Sequence, residues 1–167
     1  MNVEIERKYL LKSIPNKRPA ETIQIEQWYF KNDDGIWERA RSCHSDINGF
    51  YFIHTIKTHI SDKSNMEDEC SMTLEDFNQF VKNCKKTPKE STVISKTRYV
   101  IPHNKDGLYW EVDVFKNNHH LIVAEIEIPS EDYEVKLPKF IKKKLLLDVT
   151  GMKQFTNRSL SDKVKTL

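Results

Sequence analysis

The chain has 167 residues, a length that fits one domain and is enough to bury a sizeable core. Its 27 Lys and Arg residues nearly balance its 25 Asp and Glu residues, which argues against a nucleic-acid polymer or a membrane surface as the partner. Three cysteines without a CxxC pair favour a reducing compartment, and we find neither a signal peptide nor 18 consecutive apolar residues, so we expect a cytoplasmic protein.

The first extended segment, residues 3–10, places two carboxylates and an ammonium on one face. In a strand, alternate side chains share a face, so Glu4, Glu6 and Lys8 line the same side. Two bare carboxylates about 7 Å apart repel by about 2 kcal/mol at an effective dielectric near 20. A hard divalent cation would convert that repulsion into coordination, whereas the alternative is a solvated edge strand that carries charge for solubility.

Seven further extended segments follow, and they bring the predicted number of strands to eight. They are residues 22–30, 36–43, 50–59, 66–72, 92–102, 108–115 and 121–129. Hairpin turns are predicted at Asp34-Gly35 and Asn48-Gly49, because these dipeptides supply the positive φ that a tight turn needs.

Three segments have helical character. Residues 73–84 carry apolar side chains at helical spacing after an N-cap threonine, which predicts the one long helix. Pro138 can open a second helix with Phe140, Ile141, Leu145 and Leu146 as its apolar face. Residues 155–160 are predicted to form the last helix. We find no solenoid repeat or low-complexity linker, so residues 1–167 are predicted to form a single domain.

Seven of the eight predicted strands carry two charged residues at positions i and i+2, opposite apolar residues. The pairs are Glu4/Glu6, Arg39/Arg41, Lys57/His59, Glu67/Glu69, Lys96/Arg98, Glu111/Asp113 and Glu125/Glu127. They sort by sign, although a surface ion pair is worth only about 0–1 kcal/mol and gives little reason for such sorting. We therefore predict an α+β, mainly β fold: a closed eight-stranded antiparallel barrel, or tunnel, whose charged faces turn inward and whose helices pack outside.

In such a barrel the acids and bases would form two walls. The acidic wall, which would hold one or two divalent cations, comprises Glu4, Glu6, Glu111, Asp113, Glu125 and Glu127. The basic cradle comprises Lys8, Arg39, Arg41, Lys57, Lys96 and Arg98. A polyphosphate suits both walls, because arginine binds phosphate through a bidentate fork and a metal ion bridges phosphate oxygens. An all-oxygen site favours Mg²⁺ or Mn²⁺ over zinc.

These residues resemble the CYTH family, also called triphosphate tunnel metalloenzymes, over nearly the whole chain. The family's ExExK motif stands at residues 4–8. Its later motifs match in order: Gln27-x-Tyr29, Arg39-x-Arg41, Thr55-x-Lys57, Glu67-x-Glu69, Lys96-x-Arg98, the segment from Trp110 to Phe115, and the segment from Ala124 to Glu127. The resemblance implies an eight-stranded tunnel and divalent-cation-dependent action on tripolyphosphate, thiamine triphosphate or ATP.

The resemblance also implies roles for individual residues. Glu4, Glu6, Glu125 and Glu127 are the first metal ligands that it indicates, with Glu67, Glu69, Glu111 and Asp113 as further ligands or water-positioning groups. Lys8, Arg39, Arg41, Lys57, Lys96 and Arg98 would hold phosphates. Lys8, together with Tyr29, would orient or deprotonate the attacking water.

The resulting prediction is a metal-dependent triphosphatase that releases phosphate from tripolyphosphate or a small organic triphosphate. One alternative is a class IV adenylyl cyclase, although the His-Phe element that precedes the glutamate-rich strand in those cyclases is not present here. A second is a non-catalytic module that binds polyphosphate or nucleotide, because Met152 and Gln154 depart from the family pattern. The sequence leaves open whether the protein forms a homodimer.

Overall fold

A computed structural model describes residues 2–104, 106–117 and 120–165, and this part of the chain contains ten β-strands and three α-helices. The strands are β1 Asn2–Leu11, β2 Glu21–Lys31, β3 Trp37–Ser45, β4 Gly49–His59, β5 Ser64–Met72, β6 Ser91–Pro102, β7 Tyr109–Phe115, β8 Ile122–Glu127, β9 Leu145–Asp148 and β10 Asp162–Lys163. The helices are α1 Leu74–Lys86, α2 Lys139–Lys142 and α3 Asn157–Leu160.

Eight strands close into an antiparallel barrel in the order β1-β5-β4-β3-β2-β6-β7-β8. The pairings of β6 with β7 and of β1 with β8 complete the circle, and β9 and β10 add short pairings to β1 and β6. Because side chains alternate along each strand, closure turns one face of every strand into the interior. The predicted eight-stranded tunnel is confirmed.

Helix α1 covers part of the outside of the barrel, as the sequence predicted. The Thr73 hydroxyl accepts the Asp76 backbone N–H at 3.1 Å and caps the helix. Phe77 and Cys84 on its apolar face are buried against Trp28 from the outer face of β2. None of the helices in the described ranges has the length and apolar content needed to cross a membrane.

The C-terminal region departs from the prediction, because its two expected helices are each reduced to a single turn. Helix α2 ends at Lys142, and Leu145 and Leu146 lie in β9, which pairs with Tyr9 to Leu11 of β1. Strand β5 pairs only with residues 2–5 on that side of β1, so the later backbone groups would otherwise lack strand partners. That hydrogen bonding outweighs the local helical spacing of the leucines.

Helix α3 and the interior side chains beside it close one end of the barrel. Leu160 packs with Tyr29, Ile94, Phe115 and Val123, all of which are buried. The alternation that places these apolar side chains inside also places charged ones further along the same strands. The interior therefore consists of an apolar end and a charged section.

Candidate active site in the barrel interior

A cavity of about 640 Å³ occupies the charged section of the barrel. This volume lies within the roughly 300–1,000 Å³ typical of small-molecule sites. The predicted site residues that line the cavity are Glu4, Glu6, Lys8, Tyr29, Arg39, Arg41, Lys57, Glu67, Glu69, Arg98, Glu111, Glu125 and Glu127. The barrel thus brings together residues that are spread over more than 120 positions of the sequence.

Strand order divides this lining into an acidic side and a basic side. The four strands with acidic pairs are neighbours in the order β5-β1-β8-β7. The strands with basic pairs, β6, β3 and β4, lie on the other side together with β2, whose inward Gln27 and Tyr29 are uncharged. Glu6 stands opposite Glu127 in the β1–β8 pairing, and Glu111 stands opposite Glu125 in the β7–β8 pairing. Carboxylates are therefore concentrated beyond what any single strand could achieve.

Two lysines bridge carboxylates across the acidic side. Lys57 Nζ lies 2.6 Å from Glu4 Oε2 and 3.4 Å from Glu67 Oε1. Lys8 Nζ lies 3.3 Å from Glu125 Oε1. Lys57 is therefore paired with carboxylates of two strands, and Lys8 with a carboxylate of the neighbouring strand. Even with these pairs, the acidic side has more carboxylates than cations.

The pKa values show where this shortage of positive charge is greatest. Burial and the neighbouring Glu125 raise the pKa of Glu6 to about 8. Burial and the neighbouring Glu4 also raise the pKa of Glu127. Burial acts in the same direction on Glu125, but Lys8 and Arg98 outweigh it and hold the pKa of Glu125 well below its usual range. The uncompensated carboxyl groups are therefore those around Glu6 and Glu127.

The donor chemistry on the acidic side suits a hard divalent cation. Glu4, Glu6 and Glu127 offer carboxylate oxygens, which Mg²⁺ and Mn²⁺ prefer, and a cation would relieve the crowding that raises the pKa of Glu6. In the described ranges, no three Asp, Glu, His or Cys side chains are already arranged around one point as ligands. Lys57 lies between Glu4 and Glu67 and pairs with both carboxylates.

The basic side presents guanidinium groups with spare donors. Arg41 Nη2 lies 2.9 Å from Glu69 Oε2, and Arg39 Nη2 donates to the Thr55 hydroxyl at 3.2 Å. The Nε atoms of both arginines are buried, and neither has a hydrogen-bond partner among the residues described. Burial and the neighbouring Arg39 and Arg98 lower the pKa of Arg41. An anionic ligand would neutralise these crowded cations and accept hydrogen bonds from their unused N–H groups.

Two of the predicted site residues lie behind the cavity wall instead of on it. Lys96 and Asp113 have exposed side-chain fractions of 0% and 1%, and Lys96 Nζ lies 2.7 Å from Asp113 Oδ2. Asp113 also accepts two N–H groups from Arg98, at 2.7 Å from Nε and 2.9 Å from Nη2. The prediction that Lys96 contacts phosphate and Asp113 contacts metal does not match this placement, because each is already occupied by the other.

Backbone and side-chain contacts hold the predicted catalytic pair, Lys8 and Tyr29. The backbone N–H of Lys8 donates to the Thr150 hydroxyl at 2.9 Å, and Lys8 Nζ donates to the Phe155 carbonyl at 3.3 Å. Buried Gln27 donates from Nε2 to the Tyr29 hydroxyl at 2.9 Å. Both side chains therefore have fixed positions on the cavity wall.

The segment from residue 149 to residue 159 supplies cavity residues that were not among the predicted site residues. These are Val149, Thr150, Gly151, Met152, Lys153, Thr156, Asn157, Arg158 and Ser159. Arg158 lies over the ring of Trp37, with 4.7 Å between the guanidinium carbon and the ring centroid. The polar residues from Thr156 to Ser159 were the available signal, but only the return of this segment to the barrel shows which residues face inward.

Gly151 allows this segment to approach the β4–β5 hairpin closely. Its φ is +74°, and an added Cβ would lie 2.7 Å from the Asp62 Cβ and 3.0 Å from the Asp62 carbonyl oxygen. We expect Gly151→Ala to lower the free energy of unfolding by about 2–3 kcal/mol, because backbone strain and a steric clash add. Gly49→Ala is the matched control, since φ is +70° there but nothing lies within 4 Å of the added Cβ. Urea unfolding should therefore show a larger loss for Gly151→Ala, and equal losses would contradict the close approach.

The chain thus forms a closed antiparallel barrel whose interior is divided into an acidic and a basic wall. No protein-family model matches the chain. It is 29% identical over 161 residues to an inorganic triphosphatase of Acetivibrio thermocellus, in an alignment that covers 96% of this chain and 94% of that protein.

Solved structures share the fold. The inorganic triphosphatase NE1496 superposes with a TM-score of 0.59 at 23% identity, covering 98% of this chain and 97% of that one. HpAC1 from Hippeastrum, described as an adenylyl cyclase candidate with a dominant triphosphatase activity, has a TM-score of 0.53 at 17% identity, covering 76% and 80% of the two chains. The barrel, the ordered motifs and the similarity to the curated triphosphatase support the predicted resemblance to the CYTH family.

Proposed function

We propose that this protein hydrolyses the phosphoanhydride bond of a triphosphate, with inorganic tripolyphosphate as the first candidate substrate. The observation that carries the proposal is the pair of buried, unpartnered Nε–H groups of Arg39 and Arg41 facing a carboxylate-rich wall across one cavity. A chain of phosphates offers anionic oxygens along its whole length and so matches a cavity that is charged throughout. The Acetivibrio relative, which aligns over nearly all of this chain, is an inorganic triphosphatase.

We further propose that Glu4, Glu6 and Glu127 would hold the divalent cation, Mg²⁺ or Mn²⁺. Glu67, Glu69 and Glu111 also reach the cavity and remain proposed as outer ligands or water-positioning groups. Such a cation, when bound, supplies charge neutralisation at the phosphate oxygens and activates a water molecule. We do not place Glu125 among these metal ligands, because Lys8 and Arg98 already neutralise its charge.

The basic wall would bind and orient the substrate. Arg39, Arg41, Lys57 and Arg98 would contact phosphate oxygens and stabilise the charge that develops on them as the terminal phosphoryl group is transferred to water. Burial would lower the pKa of Lys8, but Glu125 and Glu6 outweigh it and raise that pKa. Lys8 therefore keeps its proton, and we assign to it the orientation of water or of an anionic oxygen, not the removal of a proton. Tyr29 is proposed to assist that orientation through its hydroxyl.

The cavity lining favours hydrolysis of a small polyphosphate over cyclisation of ATP. A nucleobase needs an apolar or aromatic surface on which to stack. Of the large aromatic side chains among the described lining residues, Trp37 has its ring covered by Arg158, and Tyr29 has its hydroxyl held by Gln27. We accordingly place an adenylyl cyclase second.

The decisive experiment measures product formation from tripolyphosphate, thiamine triphosphate and ATP, each with Mg²⁺, Mn²⁺ or EDTA. We expect metal-dependent phosphate release, fastest from tripolyphosphate and lost in EDTA. A cyclic nucleotide product would favour the cyclase. Binding of all three without release of phosphate would overturn hydrolysis and leave a binding module.

We also propose that the chain works as one domain in a reducing compartment such as the cytoplasm. Its three cysteines, Cys43, Cys70 and Cys84, are free, and two of them are buried. A free thiol in each position fits a compartment where disulfides do not persist.

A further inference from the structure

A continuous chain of polar contacts runs from helix α3 to a cavity arginine. The Asn157 Oδ1 atom of α3 accepts a hydrogen bond from Lys96 Nζ at 3.0 Å. The same ammonium lies 2.7 Å from Asp113 Oδ2. Asp113 in turn holds Nε and Nη2 of Arg98 with both of its oxygens. Each of these links is within hydrogen-bonding distance.

The geometry of Arg98 makes it the end point of this chain. The fork with Asp113 fixes the plane of the guanidinium, and Nη1 contacts Glu111 at the cavity. Two further N–H groups of this five-donor side chain remain for a ligand. A rotation of Asp113 would therefore turn the face that Arg98 presents to the cavity.

Lys96 links α3 to Asp113 through its ammonium group. Its side chain is completely buried, and its ammonium contacts Asp113 and Asn157. If Asn157 moved away, the ammonium would lose a buried acceptor, and loss of a partner by a buried charged group is costly. The orientation of the Asp113 carboxylate thus depends on a residue of the helix that closes the barrel.

We propose that Asn157, Lys96 and Asp113 are positioning residues that couple α3 to Arg98, so that the packing of α3 in the end of the barrel orients Arg98 for a substrate phosphate. This inference rests on the proposed function only in that Arg98 contacts phosphate. It replaces the sequence-based roles of Lys96 as a phosphate ligand and of Asp113 as a metal ligand. It also gives a role to Asn157, which lies 44 residues after Asp113 in the sequence.

The test compares Asn157→Leu, which removes the acceptor but keeps the branched shape of the side chain, with Asn157→Asp, which keeps an oxygen acceptor for Lys96. We expect Asn157→Leu to raise KM for tripolyphosphate and to weaken its binding in EDTA by about fivefold to tenfold, with kcat changed less than about twofold. Asn157→Asp should restore both values. Gln154→Leu is the matched control, because Gln154 is an exposed amide of the same segment that does not line the cavity.

A double-mutant cycle separates this role from a general loss of stability. Asn157→Leu should have no further effect on metal-free tripolyphosphate binding in an Arg98→Met background, but its full effect in an Arg41→Met background. Equal effects in both backgrounds, or no restoration by Asn157→Asp, would overturn the coupling. Because calorimetric binding in EDTA is the readout, a protein that binds tripolyphosphate without hydrolysing it would overturn the proposed function and still test this inference.

Discussion

Glu6→Gln should abolish metal-dependent phosphate release, with a loss of kcat of about 10³-fold or more, while the barrel stays folded. The change removes one charge from the carboxylates proposed to hold the cation and leaves a neutral amide of the same size. The fold should tolerate it, because burial and Glu125 already favour the uncharged form of Glu6 by raising its pKa to about 8. Phosphate release with Mg²⁺ and Mn²⁺ measures the first effect, and turnover that survives would remove Glu6 from the proposed metal ligands.

The same substitution should change how the stability of the metal-free protein depends on pH. The pKa of Glu6 is raised from 4.5 to about 8 in the fold, so between these values the folded protein holds a proton that the unfolded chain has released. The contribution of Glu6 to the free energy of unfolding therefore falls as pH rises from 4.5 through 8. Urea unfolding in EDTA at pH 5 and pH 8.5 should show Glu6→Gln gaining stability over the wild type at the higher pH.

A control for this pH effect is Glu134→Gln, which changes an exposed carboxyl group that does not line the cavity. It should leave both the phosphate release and the pH dependence of stability unchanged. A difference between Glu6→Gln and the wild type that is the same at both pH values would show that the Glu6 carboxyl is not held neutral by its surroundings.

Arg41→Met should lower kcat/KM for tripolyphosphate by about 10²-fold to 10³-fold. The substitution keeps an unbranched apolar stem but removes the guanidinium fork proposed to hold a phosphate, which is worth several kcal/mol in a buried site. We expect little loss of stability, because burial and the repulsion from Arg39 and Arg98 already lower the pKa of Arg41. Its ion-pair partner Glu69 has a 40% exposed side chain and can be solvated.

The control for Arg41→Met is Arg7→Met. Arg7 lies on the face of β1 opposite to the one that carries Glu4, Glu6 and Lys8. Arg7 donates to the Tyr133 carbonyl at 3.4 Å and does not line the cavity. Its substitution should affect stability alone. If the two substitutions lowered kcat/KM equally, the loss would reflect the fold in general and not a phosphate contact at Arg41.

The sequence predicted the barrel strands and helix α1 because the signals for both are local. Alternation of charged and apolar residues identifies a strand and its two faces without any knowledge of its neighbours. The Thr73 cap and the apolar spacing after it identified α1 in the same way. The helix predicted from local spacing at Leu145 and Leu146 was wrong, because this segment pairs with the free edge of β1.

What the sequence determined by itself is the sign of the charge that each strand carries and the face on which it carries it. Only the tertiary structure decided that the four acidic strands are neighbours, that Lys96 and Asp113 neutralise each other behind the wall, and that Asn157 returns to meet them. Alternation is a property of a single strand, whereas strand order, burial and ion pairing depend on contacts between residues far apart in the chain.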